Sequence, residues 1–222
     1  MSAQVAIIDI QMGNYASVRQ AFANVGLPSV FATRPDDLEG KKIVVVPGVG
    51  AFGEAMRRLR ANGLDAALKN KVEEGVLIVG ICLGMQLLFS ESDEFGIHEG
   101  LDVIKGKVVR LVESEKSADW GTVKNKVPQI GWNSVHRIET GRSFEGSMLS
   151  GVPDGAEFYF MHSYYVVPAD PDIGLSMTRY GDLTYLSSID AGNIKAFQFH
   201  PERSGEMGQV VYGNFARWLK TV

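Results

Sequence analysis

Three short, largely apolar runs rich in β-branched residues, each divided from the next by a helical stretch, constrain this chain more than any other feature. They are Val5-Ala-Ile-Ile-Asp-Ile10, Ile43-Val-Val-Val46 and Val76-Leu-Ile-Val79. A strand without polar alternation is covered on both faces, and such strands joined through helices pair in parallel. Between the runs, Tyr15 to Val25 reads as a helix, and helical residues follow the second run to about Glu74. After the third run, Leu83 to Phe89 also reads as helical. The expectation is an α/β fold whose sheet has a parallel centre flanked by helices.

The second half changes period. Residues 103–112, 132–139, 156–167, 173–180 and 183–190 alternate apolar and polar positions between Gly, Pro, Asp and Asn turns, which predicts antiparallel strands added to an open, mixed sheet. Gly205 to Leu219 closes as a helix with Met207, Val211, Phe215, Trp218 and Leu219 on one stripe. Glu113 to Lys126 is polar and reads as an exposed loop or insertion. No Pro- or Gly-rich linker divides the chain, so residues 1–222 are expected to form one domain. Of its 222 residues, 45% are hydrophobic and 22% charged, enough for a sizeable core.

A formal net charge of -4 gives no basic excess for phosphate backbones or anionic lipid, so neither nucleic acid nor membrane is expected as a partner. The first apolar run contains Asp9, follows no basic leader, and is too short for a signal peptide or a span, which points to the cytoplasm. A single cysteine, Cys82, rules out an intrachain disulfide. The histidines at 98, 136, 162 and 200 lack the paired spacing that holds zinc, so no metal is expected. His98 and His136 read as structural or surface residues.

Cys82 is the candidate nucleophile. It lies in Val79-Gly-Ile-Cys-Leu-Gly-Met-Gln86, directly after a buried strand and directly before a helix, which is the glycine-flanked pattern of a nucleophile on a sharp strand-to-helix turn. Side chains two residues to either side would collide there, so glycine is required. The helix start favours the thiolate, and the Leu83 amide would face a developing oxyanion. A thiol nucleophile needs a base, and His200, in Lys195-Ala-Phe-Gln-Phe-His-Pro-Glu202, is the choice. If this segment is extended, the Glu202 carboxylate shares a side with the imidazole and fixes its tautomer. The loop Pro47-Gly-Val-Gly-Ala-Phe-Gly53 formally matches a dinucleotide fingerprint, but the acid expected at the end of the next strand is missing and Cys82 stands there instead. Its better use is to supply an amide, at Val49 or Gly50, as the second donor of an oxyanion hole.

Together these pieces resemble the triad, or class I, glutamine amidotransferases. The resemblance rests on five blocks in order: Pro47–Gly53, Gly80-Ile-Cys-Leu-Gly-Met-Gln-Leu-Leu-Phe89, Gly131-Trp-Asn133, Phe158-Tyr-Phe-Met-His-Ser-Tyr-Tyr165 and Gln198-Phe-His-Pro-Glu-Arg-Ser-Gly205. Within that family the blocks are most similar to the glutaminase subunits of imidazole glycerol phosphate synthase. The resemblance implies a flavodoxin-like sheet, a Cys82-His200-Glu202 triad, and glutamine held by Gln86 and the backbone of Gly48, Ser163 and Tyr164. It implies no cofactor. It implies as partner a (β/α)8-barrel cyclase that uses the ammonia to make imidazole glycerol phosphate and an aminoimidazole carboxamide ribotide in histidine biosynthesis. Asn14, Trp132, Tyr159 and Arg203 match positions near that interface, and core packing is the other reading of Trp132 and Tyr159. The sequence departs from many relatives at Ile10-Gln11, Gln129 and Arg203, none of them in the triad. Other expectations compatible with the residues are a glutaminase serving another synthase, such as the one making pyridoxal phosphate, a stand-alone γ-glutamyl hydrolase, or a non-catalytic scaffold.

Overall fold

The computed structural model describes residues 4–112, 115–118, 121–124, 126–139 and 143–221. The first half alternates strand and helix: β1 (Val5–Ile8), α1 (Tyr15–Asn24), β2 (Ser29–Ala32), β3 (Ile43–Gly48), α2 (Phe52–Ala61), α3 (Leu64–Glu73), β4 (Leu77–Cys82) and α4 (Leu83–Leu87). β1 pairs in parallel with both β2 and β3, and β3 in parallel with β4. Every residue of β1, β3 and β4 is buried, as cover on both faces demands. Successive side chains enter opposite cores: Val5, Ile7 and Val45 meet Phe22 of α1, whereas Ala6, Ile8 and Val44 join Met56 and Leu59 of α2.

The second half contains β5 (Phe89–Ser92), β6 (His98–Glu99), β7 (Ile104–Arg110), β8 (Glu115–Ala118), β9 (Gly121–Lys124) and β10 (Gln129–Arg137). It continues with β11 (Ala156–His162), β12 (Tyr164–Pro168), β13 (Gly174–Tyr180), β14 (Leu183–Ala191), β15 (Ile194–Phe197) and α5 (Gly205–Leu219). The main sheet is mixed, in the order β11-β10-β13-β14-β15-β4-β3-β1-β2. Its parallel part runs from β15 to β2, and the strands from β11 to β14 extend it antiparallel, so the fold is the α/β arrangement that the two periods predict.

Several boundaries differ from the sequence reading. The helical stretch to Glu74 is two helices, broken at Asn62-Gly63, where Gly63 takes φ 67, a left-handed angle that costs glycine little. The helix from Leu83 stops at Leu87, and Phe89 already belongs to β5. The apolar Leu87-Leu-Phe89 suits either element, so pattern alone cannot divide them. The run 156–167 is two strands in different sheets: β11 edges the main sheet, whereas β12 enters a second sheet ordered β12-β7-β5-β6. Of the segment 113–126, expected as an exposed loop or insertion, residues 115–118 and 121–124 form an antiparallel pair, β8 with β9, and residues 113, 114, 119, 120 and 125 lie outside the described residues.

This topology places the candidate residues. The carboxyl ends of β3 and β4 lie side by side, with Gly48 in register with Cys82. β15 flanks β4 on the other side, with Phe197 opposite Ile81, so the chain leaving β15 reaches His200 beside Cys82.

Candidate active site

Cys82 ends β4 with φ 53, a left-handed angle seldom taken by a residue with a side chain. The glycines around it are sterically required. A Cβ on Gly84 would lie 1.6 Å from the Val46 carbonyl oxygen, and one on Gly80 would lie 2.8 Å from Cα of Met85. The elbow therefore has no room for a side chain at Gly84 and is tight at Gly80. Cys82 is 4% exposed and lines a cavity of about 280 Å3 with Val49, Gly50, Leu83, Gln86, Glu94, Pro128, Met161, His162, Ser163 and Tyr164. Its Sγ donates to the Met161 carbonyl at 3.5 Å and accepts from Gln198 Nε2 at 3.7 Å.

His200 approaches from the neighbouring strand end. Its backbone N–H donates to the Tyr159 carbonyl at 2.8 Å, and its own carbonyl accepts from Ser204 Oγ at 2.7 Å. Residues 201–203 form a single 3-10 turn, not the extended segment considered above, because Pro201 fits the first position of such a turn. The turn still delivers the carboxylate: Glu202 Oε1 lies 2.7 Å from His200 Nδ1, with both side chains buried. Burial works against a charge on His200, but the Cys82 sulfur in its anionic form and the Glu202 carboxylate outweigh it and raise the imidazole from 6.5 to about 10. Nε2 has no other hydrogen-bond partner, so it is the ring nitrogen left to exchange a proton with the sulfur beside it.

The oxyanion donors predicted from sequence are unequally placed. Leu83 is the first residue of α4, where a backbone N–H has no partner within the helix. The Val49 N–H instead donates to the Met12 carbonyl at 3.2 Å, so it is turned toward the loop after β1. Gly50 follows with φ 106, and a Cβ there would meet Cε of Met12 at 2.9 Å. Gly48 packs beneath Leu83, whose Cβ would lie 3.3 Å from a Cβ on Gly48.

Gln86 is buried on the pocket floor, where its Nε2 donates to the Tyr164 carbonyl at 2.9 Å and to Gln198 Oε1 at 3.1 Å. Behind it, His162 is buried. Its Nδ1 donates to the same Tyr164 carbonyl at 2.9 Å, its Nε2 meets the Tyr185 hydroxyl at 3.1 Å, and burial lowers it from 6.5 to about 4. His162 is therefore neutral around pH 7 and holds the carbonyl that Gln86 uses. Glu94, Met161 and Gln198 also reach the site, and sequence reasoning gave none of them a role. Glu94 comes from the loop after β5, and its Oε2 accepts from the Phe52 N–H. Only its acidic character could have marked it.

The four positions matched to a partner surface lie on one flank. Trp132 is 55% exposed, which excludes the core-packing reading for it, and its ring meets Tyr159 edge-on at 6.2 Å between centroids. The Arg203 guanidinium sits over the Tyr159 ring at 4.3 Å. Asn14 caps α1 through Ser17. Asn14 and Arg203 border a second cavity of about 90 Å3 that also touches His200 and Glu202 and shares Val49 and Met161 with the first. Among the described residues no cluster of His, Cys, Asp or Glu could hold a metal ion, and no helix is long and apolar enough to cross a membrane.

A family model described as glutamine amidotransferase class-I matches residues 6–217. The imidazole glycerol phosphate synthase subunit HisH of Chlorobaculum tepidum is 40% identical over 214 residues, covering 96% of this chain and 100% of that protein. The subunit of the same name from Moorella thermoacetica is 41% identical over 216 residues, covering 97% of this chain and 95% of its own. A solved glutamine amidotransferase structure superposes with a TM-score of 0.67 over 99% of this chain and 100% of its own, at 20% identity, a likeness in fold.

Proposed function

The chain belongs to the class I glutamine amidotransferase family, and on that premise we propose that Cys82, His200 and Glu202 hydrolyse glutamine for a cyclase partner in histidine biosynthesis. The observation that carries the reading is the approach of the buried His200–Glu202 pair to the strained Cys82 elbow, whose sulfur lines a pocket of amino-acid size. Relatives over nearly the whole chain are named as subunits of imidazole glycerol phosphate synthase, which favours that partner over the synthase of pyridoxal phosphate.

The sulfur, as thiolate, attacks the side-chain carbonyl carbon of glutamine. The Leu83 amide stabilises the oxyanion, and the His200 imidazolium gives its proton to the departing nitrogen. Ammonia leaves and a glutamyl thioester remains. Water then adds with its proton passing to His200, the C–S bond breaks, and glutamate is released. Gln86 and the backbone of Gly48, Ser163 and Tyr164 hold the substrate, and the Glu94 carboxylate supplies negative charge to a wall that would receive its ammonium group. No step calls for a cofactor.

Ammonia set free in bulk water would be protonated and lose its nucleophilicity, so an enclosed exit to a docked partner is needed. The second cavity, bordered by Asn14 and Arg203, supports an exit on the flank where Trp132 is exposed, and we assign that flank to a (β/α)8-barrel cyclase. The Val49 amide, occupied by the Met12 carbonyl, supports a glycine loop with two states, one of which completes the oxyanion hole when a partner on the Asn14 segment favours it. The cytoplasm suits such a biosynthetic enzyme.

Glutamate release by the wild type and Cys82→Ala, each with and without the cyclase and its nucleotide ligand, tests the reading. Fast release only by the wild type in complex is expected. Activity in Cys82→Ala would remove the assigned nucleophile, and an isolated chain as fast as the complex would remove the switch.

A further inference from the structure

Gln198 has a backbone amide fixed to the Ser187 carbonyl at 2.9 Å and is 0% exposed, so its side-chain amide must find its partners inside the protein. The orientation of that amide follows from its neighbours. A carbonyl can only accept, so the Tyr164 carbonyl fixes the NH2 of Gln86 toward itself, and the same NH2 faces Gln198 at 3.1 Å. Gln198 must therefore present its oxygen to Gln86, which turns its own NH2 toward the Cys82 sulfur at 3.7 Å.

The other close polar neighbour of the sulfur has the opposite character. The Met161 carbonyl, at 3.5 Å, can accept from a thiol but repels a thiolate. A sulfur that must become an anion here needs a donor to offset that dipole, and hydrogen bonds to charged groups are the strong ones. We propose that Gln198 is a catalytic residue, its side-chain N–H donating to the Cys82 thiolate and its oxygen linking the nucleophile to the substrate-binding Gln86. The inference rests on the reading of Cys82 as nucleophile.

The test is the rate of Cys82 alkylation by iodoacetamide as a function of pH, which needs no glutamine turnover and so remains readable if the glutaminase reading fails. Gln198→Met removes the donor at similar length, and alkylation near pH 7 is expected to slow about tenfold and recover toward the wild-type rate at high pH. Gln198→Glu keeps an oxygen for Gln86 but places negative charge by the sulfur, so its alkylation should slow further. In the complex, kcat for glutamine should fall by a similar factor in Gln198→Met, with a smaller change in KM. Alkylation profiles of either variant that superpose on the wild type, with the loss confined to KM, would overturn the proposal and leave Gln198 as a strut for Gln86. Should Gln198→Met fail to fold, Gln198→Glu carries the same decision.

Discussion

Replacing Gly84 by alanine forces a side chain against the backbone that closes the Cys82 elbow. The added Cβ would lie 1.6 Å from the Val46 carbonyl oxygen, whereas real Cβ atoms essentially never approach within 3.0 Å, so β3 and α4 must separate by about 1.4 Å. The obstacle is backbone, which cannot swing aside as a side chain can. Overpacking of this kind costs about 3 kcal/mol, which in a chain of this length lowers Tm by roughly 6–12 °C. A nucleophile displaced by about an ångström loses on the order of a hundredfold in rate. Gly80→Ala meets Cα of Met85 at 2.8 Å and needs a shift of only a few tenths of an ångström, so its loss should be smaller, about 1–2 kcal/mol. Gly213→Ala is the control. It lies within α5 with nothing inside 4 Å of the added atom, and better helix propensity should raise Tm by roughly 2–4 °C without loss of activity. Thermal melts and glutaminase assays of the three variants with the partner give the ranking, and a Gly84→Ala variant with wild-type Tm and rate would refute the elbow geometry.

Glu202→Gln removes a charge-assisted bond to His200, of roughly 1.5–3 kcal/mol. Because the carboxylate helps hold His200 at about 10, the alkaline limb of the pH–rate profile should move down by about 1–2 pH units, and an unmoved limb would contradict the assignment. His162 is lowered to about 4 from 6.5, so the unfolded chain binds more protons between those values. Its contribution is present above pH 6.5 and is lost as pH falls through 4, roughly 3 kcal/mol in all. Urea titrations across that window should show the slope in the wild type and a flatter one in His162→Gln, and equal slopes would count against it. Trp132→Ala should weaken association with the cyclase by about 30-fold, the effect of a 2 kcal/mol aromatic anchor. Titration calorimetry showing unchanged affinity would remove Trp132 from the interface.

The parallel centre was legible because Ile43–Val46 and Val76–Val79 are apolar without interruption, a pattern that only cover on both faces explains. The elbow was legible because Gly80 and Gly84 flank a single cysteine at a period change, and the structure supplies the collisions those glycines avoid. What failed was local ambiguity. Alternation runs unbroken through Ser163, so nothing in the pattern signals that β11 and β12 enter different sheets. The edge strand β2, with Val30 and Phe31 exposed, carries too weak a pattern to be read. The pocket was only half legible for another reason: Met161 and Gln198 meet Cys82, and Glu94 joins the lining, through tertiary packing, which leaves no spacing in the sequence. The direction of the Val49 amide is likewise a property of its contact with Met12, not of residue type.

The most direct measurement is peptide mass spectrometry of the chain in complex with its partner, treated with a glutamine analogue carrying an electrophile at the side-chain carbonyl position. One adduct on Cys82, suppressed by excess glutamine and absent from Cys82→Ala, is the result expected. No adduct on Cys82, or labelling there that glutamine does not prevent, would contradict the claim that this sulfur attacks glutamine.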